Sequence, residues 1–216
     1  DLDAGIFEQD LTKAYQASGD AHLLDLVRKV RIFGFDFSKI EYRETAKEYG
    51  RVAAALLPDY GALSPAQRVD RLTALLTEDG NQPQQLLENK RDQIIQEGAV
   101  AAYNKTSAMP IAYHTMKRME LARDFGGMIQ DNVLAECGRL DGEHKDAGAV
   151  CNQGVANILE AQLMQRMIPE KEGISLKLGI IPLFEEPDTM MNIDAIMRAA
   201  YDNKAYYVAS ACTDVF

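Results

Sequence analysis

An arginine and a glutamate each stand at the end of an apolar, strand-like stretch, where charged side chains can do chemistry. Glu185 ends the run GIIPLFE of residues 179–185, and Arg43 ends the alternating run FDFSKIEYR of residues 35–43. A carboxylate in such a place is the hard oxygen ligand that Mg²⁺ takes, usually together with waters and substrate oxygens. A guanidinium offers a planar fork that fits phosphate or carboxylate. These two residues are the candidate site.

Both residues also have a purely structural interpretation. Arg43 is flanked by Glu41 and Glu44, a pattern typical of surface ion pairs that contribute little to stability. Glu185 precedes a predicted helix, and acids are favoured near helix N-termini by the helix dipole. Glu186 would point to the other face if the strand continued, so we expect it to face solvent. One carboxylate does not by itself make a metal site.

Other residue types that carry chemistry lack the necessary spacing. The histidines show no HxxxH or HExxH pattern, and the odd number of cysteines, without metal-type spacing, predicts reduced thiols that pack in a cytosolic protein. The nine methionines follow apolar faces, which favours core packing over a cofactor site. No glycine pattern predicts a dinucleotide or phosphate loop. The histidines and cysteines are His22, His114, His144, Cys137, Cys151 and Cys212.

Composition narrows the class of protein. The 216 residues are 47% hydrophobic, enough for a substantial core in one large or two small domains. With 33 acids against 23 bases, the formal charge is −10, and no basic stripe predicts a nucleic-acid partner. No apolar run approaches the roughly 20 residues of a membrane span, and the first residues lack the features of a leader. We therefore expect a soluble, cytoplasmic protein without membrane partners.

The first half of the chain is mostly helical by pattern, with one strand. Helices are expected where apolar residues recur every three or four positions between caps and breakers. The strand is expected to end at Arg43. The predicted helices are 21–33 (Asp20 as N-cap, Gly34 at the end), 45–57 (before Pro58), one from Ser64 and Pro65, and one from Gln82 or Pro83.

The second half changes from helical to strand-like periodicity near residue 170. Strand, helix and strand in sequence predict a parallel sheet, and in β/α barrels the carboxyl ends of the strands are where sites are built. Glu185 would then stand at that end of a strand buried on both faces. The predicted elements are a helix over 115–135 kinked at Gly126 and Gly127, a loop over 138–150, a helix over 155–168, a strand over 176–184, a helix capped by Asp188, and a β-prone run over 205–212.

Two motifs resemble phosphoenolpyruvate carboxylase of the bacterial and plant type. One is a helix ending in Arg31, Phe33 and Gly34, followed by an extended segment IEYRE that contains Arg43. The other is Glu172 and Gly173, followed by a strand that ends in the sequence PLFE at Glu185. Their order and separation also fit. Flanking residues differ from the family pattern at Tyr42, Glu44, Glu186 and Pro187, which indicates a divergent member.

The resemblance implies that residues 1–216 are a single partial domain, the central segment of a larger enzyme. The implied fold is a helix-dominated α/β structure, an incomplete part of a large TIM-like β/α barrel with extra helices. Residues 1–98 would be mostly helical with a short strand ending at Arg43, 99–170 helical with an inserted loop near 138–150, and 171–216 a strand-helix-strand unit. One further family strand would correspond either to AAYNKTSA or to VLAECGRL.

The resemblance also implies an activity. Bicarbonate would attack the phosphorus of phosphoenolpyruvate, and the enolate of pyruvate would take up CO₂ to give oxaloacetate and phosphate. Glu185 would bind Mg²⁺ or Mn²⁺, Arg43 would bind substrate, and the enzyme would be a homo-oligomer, because the family is tetrameric. The other catalytic groups would lie outside this segment, which alone would be inactive, and no role is assigned to Asp214. The alternative is a non-catalytic helical interaction or regulatory segment derived from the same fold.

Overall fold

A computed structural model describes residues 4–34, 40–77, 82–100, 109–125, 129–141, 146–176 and 178–206. Within those ranges the chain forms nine α-helices, a short 3₁₀ helix at Tyr60–Ala62 and one three-stranded parallel sheet. The helix-dominated α/β class is therefore confirmed. The elements are α1 (Ala4–Ser18), α2 (Ala21–Phe33), β1 (Ile40–Thr45), α3 (Ala46–Leu56), α4 (Pro65–Thr77), α5 (Gln82–Val100), α6 (Met109–Asp124), β2 (Ile129–Ala135), α7 (Ala147–Arg166), β3 (Gly179–Pro182), α8 (Pro187–Met191) and α9 (Ile193–Tyr201).

Local capping explains the helices whose bounds the sequence predicted well. The Asp20 side chain accepts a hydrogen bond from the His22 N–H at 2.9 Å, and Gly34 ends α2 with a φ of 63°, which glycine adopts without strain. The Ser64 N–H donates to Gln67 Oε1 at 2.9 Å, which helps to start α4 at Pro65. Both predicted starts are confirmed.

The strand order is β1-β2-β3. The largest difference between the structure and the sequence prediction is strand β2. The predicted kinked helix over 115–135 is wrong in its second half, because α6 ends at Asp124 and residues 129–135 form the central strand. The spacing of Ile129, Val133 and Leu134 is compatible with a helix as well as a strand. The segment forms a strand because it pairs with β1 on one side and β3 on the other. Segment 99–170 is thus not wholly helical. Of the two alternatives, VLAECGRL overlaps the end of β2, and AAYNKTSA lies outside the described residues.

The two faces of the sheet differ in what covers them. On one face Tyr42, Asn132 and Ile180 align across the strands, and the Tyr49 hydroxyl of α3 donates to Asn132 Oδ1 at 2.9 Å. On the other face Arg43 and Ile181 flank the buried Val133; the Arg43 side chain is 62% exposed and Ile181 is 40% exposed. The prediction that the strand before Glu185 is buried on both faces is therefore wrong, because its side chains alternate between covered and exposed faces.

Other element boundaries shift by a few residues. β1 continues past the predicted end at Arg43 to Thr45, whose hydroxyl accepts from the Glu48 N–H at 3.4 Å and caps α3. Helix α7 begins at Ala147, inside the predicted loop 138–150 and well before the predicted start at 155, because the Asp146 side chain caps it. The predicted β-prone run 205–212 starts with a helical turn, and residues 207–216, including Asp214, lie outside the described ranges.

The helix after β3 is also capped differently from the prediction. Glu186, not Asp188, is the N-cap of α8, because the Glu186 N–H donates to Thr189 Oγ1 at 3.2 Å and α8 starts at Pro187. Helix α8 ends at Met191, and α9 begins two residues later. The single predicted helix is thus two.

Helix α7 lies at the centre of the core, and its glycine Gly154 permits a close approach of α9. A Cβ placed on Gly154 would lie 2.6 Å from Ile196 Cγ2, closer than packed carbon atoms come. Ile196 is itself fully buried. The close contact fixes the segment after β3 against α7.

We expect Gly154→Ala to lower the free energy of unfolding by about 2 kcal/mol, because the added methyl group overpacks the α7–α9 contact. Urea unfolding followed by circular dichroism measures it. Adding Ile196→Ala should make the double variant less destabilised than the sum of the two single variants.

Gly61→Ala is the matched control, because its new Cβ would meet Ala54 Cβ at an ordinary 3.6 Å. Equal losses in Gly61→Ala and Gly154→Ala, or strictly additive effects of Gly154→Ala and Ile196→Ala, would contradict the close-contact explanation.

Candidate functional site

Glu185 lies just beyond the carboxyl end of β3, and backbone hydrogen bonds hold the chain there. The Leu183 N–H donates to the Leu134 carbonyl at 2.9 Å, and the Cys137 N–H donates to the Leu183 carbonyl at 3.0 Å. The Glu136 N–H then donates to Glu185 Oε2 at 3.0 Å. Glu185 is exposed, so one of its oxygens is oriented by the protein and the carboxylate still faces solvent. That geometry suits a metal ligand.

The loop after β2, residues 136–141, brings a cation to the same edge. Arg139 Nη1 donates to Glu136 Oε1 at 2.5 Å and lies 3.7 Å from Glu186 Oε1. Glu186, expected to face solvent, is instead partly buried and belongs to this ion-pair group. Glu136 has a φ of 56°, a left-handed conformation that non-glycine residues rarely adopt. That conformation accompanies the backbone hydrogen bond to Glu185.

Arg43 lies two strands away from β3 and does not contact Glu185. Its Nη2 is 3.7 Å from Glu41 Oε2, a loose ion pair on the exposed face of the sheet. In register it aligns with Val133 and Ile181, so the lateral separation of β1 and β3 is about 10 Å. Its other acidic neighbour, Glu44, pairs with Arg118 Nη1 at 3.3 Å. A substrate with two anionic groups could bridge positions this far apart.

The residues at this edge of the sheet can supply one carboxylate ligand to a magnesium ion. Among the described residues there is no group of three or more His, Cys, Asp or Glu side chains that could hold a metal ion. Mg²⁺ commonly binds through one or two carboxylates and completes its shell with water and substrate oxygens. Glu185, with Oε2 oriented by the Glu136 N–H, can supply one of them.

A cleft of about 660 Å³ lies on the helix-covered side of the same edge. It lies between α3, the start of α4, the 136–141 loop and the first half of α7. Sequence patterns did not indicate it, because its residues come from four separate parts of the chain. The lining residues are Ala46, Lys47, Gly50, Arg51, Ala54, Gly61, Pro65, Arg68, Glu136, Arg139, Leu140, Asp141, Gln153 and Asn157.

A fully buried glutamate, Glu160, lies directly beneath the floor of the cleft. The Tyr60 hydroxyl donates to its Oε1 at 2.7 Å, and Asn157 Nδ2 donates to its Oε2 at 3.0 Å. Asn157 Oδ1 in turn accepts the Gly138 N–H at 3.0 Å, which fixes the loop after β2. Glu160 is the one charged residue in VANILEAQLM, residues 155–164, and this isolated acid was the available sequence signal.

The environment of Glu160 favours its neutral form. Burial raises the pKa of Glu160 to about 7, while hydrogen bonds from Asn157 and Tyr60 and the charge of Arg68 partly oppose that rise. Burial and the nearby Glu160 also raise the pKa of Tyr60, so its hydroxyl remains a donor. The carboxyl group therefore changes charge near neutral pH inside the core.

The chain matches no protein-family model, no curated protein and no solved structure. Assignment of a function therefore depends on the site itself and on the two sequence motifs. None of the helices in the described parts of the chain combines the length and the apolar character needed to cross a membrane.

We expect Glu160→Gln to stabilise the protein on the alkaline side of neutrality. The pKa of Glu160 is about 7 in the folded protein against a reference of 4.5, so the folded state binds more protons between these values. Stability of the wild type should therefore fall as the pH rises through this window, and Glu160→Gln should remove that loss. The expected gain is on the order of 2 kcal/mol at pH 8, measured by urea unfolding.

Glu88→Gln, at an exposed position on α5, is the control and should follow the wild-type pH dependence. A wild-type protein more stable than Glu160→Gln at pH 8, or a difference between them that does not vary from pH 4.5 to 8, would show that Glu160 is not held neutral.

Proposed function

We propose that this chain is part of a Mg²⁺-dependent carboxylase that converts phosphoenolpyruvate and bicarbonate into oxaloacetate and phosphate. The observation that carries the proposal is Glu185, anchored just past the carboxyl end of a parallel strand by the Glu136 N–H. The IEYRE motif with Arg43 lies in β1, and the PLFE motif starts at Pro182, the last residue of β3 in the same sheet. Enzymes built on parallel β/α units place their chemistry at this end of the strands.

The proposal includes a β/α barrel to which the three strands belong. In such barrels the helices cover the outside, and residues of the opposite face of the strands line the interior. Helix α3 contacts the Asn132 face here, and Arg43, Val133 and Ile181 form a row on the other face. Arg43 would then point towards the barrel interior, where substrate binds.

In the proposed reaction a bicarbonate oxygen attacks the phosphorus, and the bond from phosphorus to the enol oxygen breaks. The products of that step are carboxyphosphate and the enolate of pyruvate. Carboxyphosphate releases phosphate and CO₂, and the enolate carbon adds to CO₂. Arg43 would bind the transferred phosphoryl group, with Glu185 as a ligand of the metal. The metal, when bound, would neutralise charge on phosphate and enolate oxygens.

A cytoplasmic location and a homo-oligomeric assembly are part of the same proposal. Exposed apolar side chains on α8 and α9 support assembly, since Met190 and Met191 on α8 are 57% and 78% exposed and Tyr201 on α9 is 59% exposed. The charge of −10 argues against binding to nucleic acid, so small anionic substrates would have to be held by local cations such as Arg43.

We expect Glu185→Gln, made in the natural protein that contains this sequence, to lower kcat/KM for phosphoenolpyruvate at least about 100-fold. The change is nearly isosteric, and it removes the charge that a divalent cation needs. Oxaloacetate formation coupled to malate dehydrogenase, with Mg²⁺ titrated, measures the effect. Glu170→Gln, an exposed acid of the segment before β3, should keep wild-type activity.

Full activity and unchanged Mg²⁺ dependence in Glu185→Gln would contradict the metal role of this residue. A wild-type protein that forms no oxaloacetate would contradict the carboxylase itself. That second result would favour a non-catalytic interaction or regulatory segment, to which the exposed apolar residues of α8 and α9 would then belong.

A further inference from the structure

We propose that the cleft between α3, α4 and α7 is a second binding site, which takes a small organic phosphate. It lies on the helix-covered side of the sheet, whereas Arg43 lies on the opposite face. The inference does not depend on the carboxylase proposal, because it is carried by the residues of the cleft alone.

The lining of the cleft is positively charged within a strongly acidic protein. Lys47 and Arg51 come from α3, Arg68 from α4 and Arg139 from the loop after β2. Among the residues that the structure describes, two acids, Glu136 and Asp141, line the same cleft, whereas the chain as a whole carries a charge of −10. A concave surface that concentrates cations in this way attracts anions.

Two of these cations have donor groups that no carboxylate uses. Within the described residues, Lys47 is exposed and has no hydrogen-bond or ion-pair partner. Arg68 Nη2 donates to the Gly61 carbonyl at 3.3 Å, its guanidinium lies 5.4 Å from the centre of the Tyr60 ring, and its buried Nε has no hydrogen-bond partner. The Nε atom has almost no exposed surface, so the other N–H groups of the guanidinium are the ones that can bind an anion in the cleft.

The other two cations already bind acids and would adjust around a ligand. Arg51 Nη1 contacts Glu48 Oε2 at 3.1 Å, and Arg139 binds Glu136. Lys47 and Arg68, on α3 and α4, are therefore the residues expected to dominate binding. Their helices line different walls of the cleft, so the two positive charges can approach one ligand from different directions.

Gly50 and Asn157 connect the floor of the cleft with the buried Glu160. A Cβ on Gly50 would lie 3.4 Å from both carboxyl oxygens of Glu160, so this part of the floor lies directly over the buried carboxyl group. The amide of Asn157 accepts from the Gly138 N–H and donates to Glu160 Oε2, which fixes its orientation in the floor. The raised pKa of Glu160, about 7, also limits negative charge beneath the floor.

The size and chemistry of the cleft select the ligand class. A volume of about 660 Å³ is typical of sites for small molecules. Guanidinium groups offer fixed pairs of donors that match phosphate oxygens, and an ammonium group adds a compact charge. A phosphate group accepts from several directions at once, which suits cations on different walls better than a single carboxylate does.

The test is isothermal titration of the natural protein with inorganic pyrophosphate at low ionic strength, with EDTA present so that no divalent metal contributes. We expect saturable binding to the wild type. Lys47→Gln and Arg68→Gln should each raise the Kd at least about tenfold. Arg71→Gln, on the same helix as Arg68, and Lys204→Gln are exposed controls and should change the Kd less than twofold.

Several results would overturn the proposal. The absence of binding to the wild type, or equal losses in all four variants, would show that the cleft has no specific site. A loss in Arg43→Lys or Glu185→Gln with none in Lys47→Gln would place binding at the sheet edge instead. Thermal melting shows whether Arg68→Gln still folds. If it does not, Lys47→Gln decides the outcome, because the exposed Lys47 side chain makes no hydrogen bond or ion pair among the described residues.

Discussion

The buried carboxyl group of Glu160 is the constraint on which both candidate sites depend. Removing a carboxyl group from water is costly, and here Tyr60 and Asn157 compensate with two hydrogen bonds while its raised pKa favours the neutral form. Asn157 also binds the Gly138 N–H, so the network extends from the core of α7 to the loop after β2. That loop supplies the backbone donor that orients Glu185. A single buried acid thus connects helix packing with the geometry at the edge of the sheet.

The same loop connects the proposed metal ligand with the cationic cleft. Arg139 lines the cleft and binds the carboxylate of Glu136, whose N–H holds Glu185. Parallel strands make this proximity possible, because the chain leaves β1, β2 and β3 at one edge of the sheet. The start of α3, which follows β1, supplies Lys47 to the cleft; the segment after β3 supplies Glu185. The proposed metal ligand and the residues of the cleft are therefore neighbours because of the strand topology and not because they are close in sequence.

Local signals predicted the parts of the fold that local chemistry determines. Helices α2 and α4 start directly after the capping residues Asp20 and Ser64, as the sequence predicted. The sequence pattern also predicted that Glu185 follows an apolar strand. Strand β2 could not be predicted in this way, because its apolar spacing also suits a helix and only pairing with β1 and β3 resolves the ambiguity. The partners of Glu160 and the walls of the cleft join residues a hundred or more positions apart, which no local pattern encodes.

The most direct test of the central claim, that Glu185 holds a divalent cation at the edge of the sheet, is binding of Mn²⁺ followed by electron paramagnetic resonance. The natural protein should be titrated with Mn²⁺ in the presence of phosphoenolpyruvate, beside Glu185→Gln and Glu170→Gln. We predict that Glu185→Gln weakens Mn²⁺ binding at least about tenfold and that Glu170→Gln binds as the wild type does. Equal Mn²⁺ affinity in Glu185→Gln and the wild type would contradict the account.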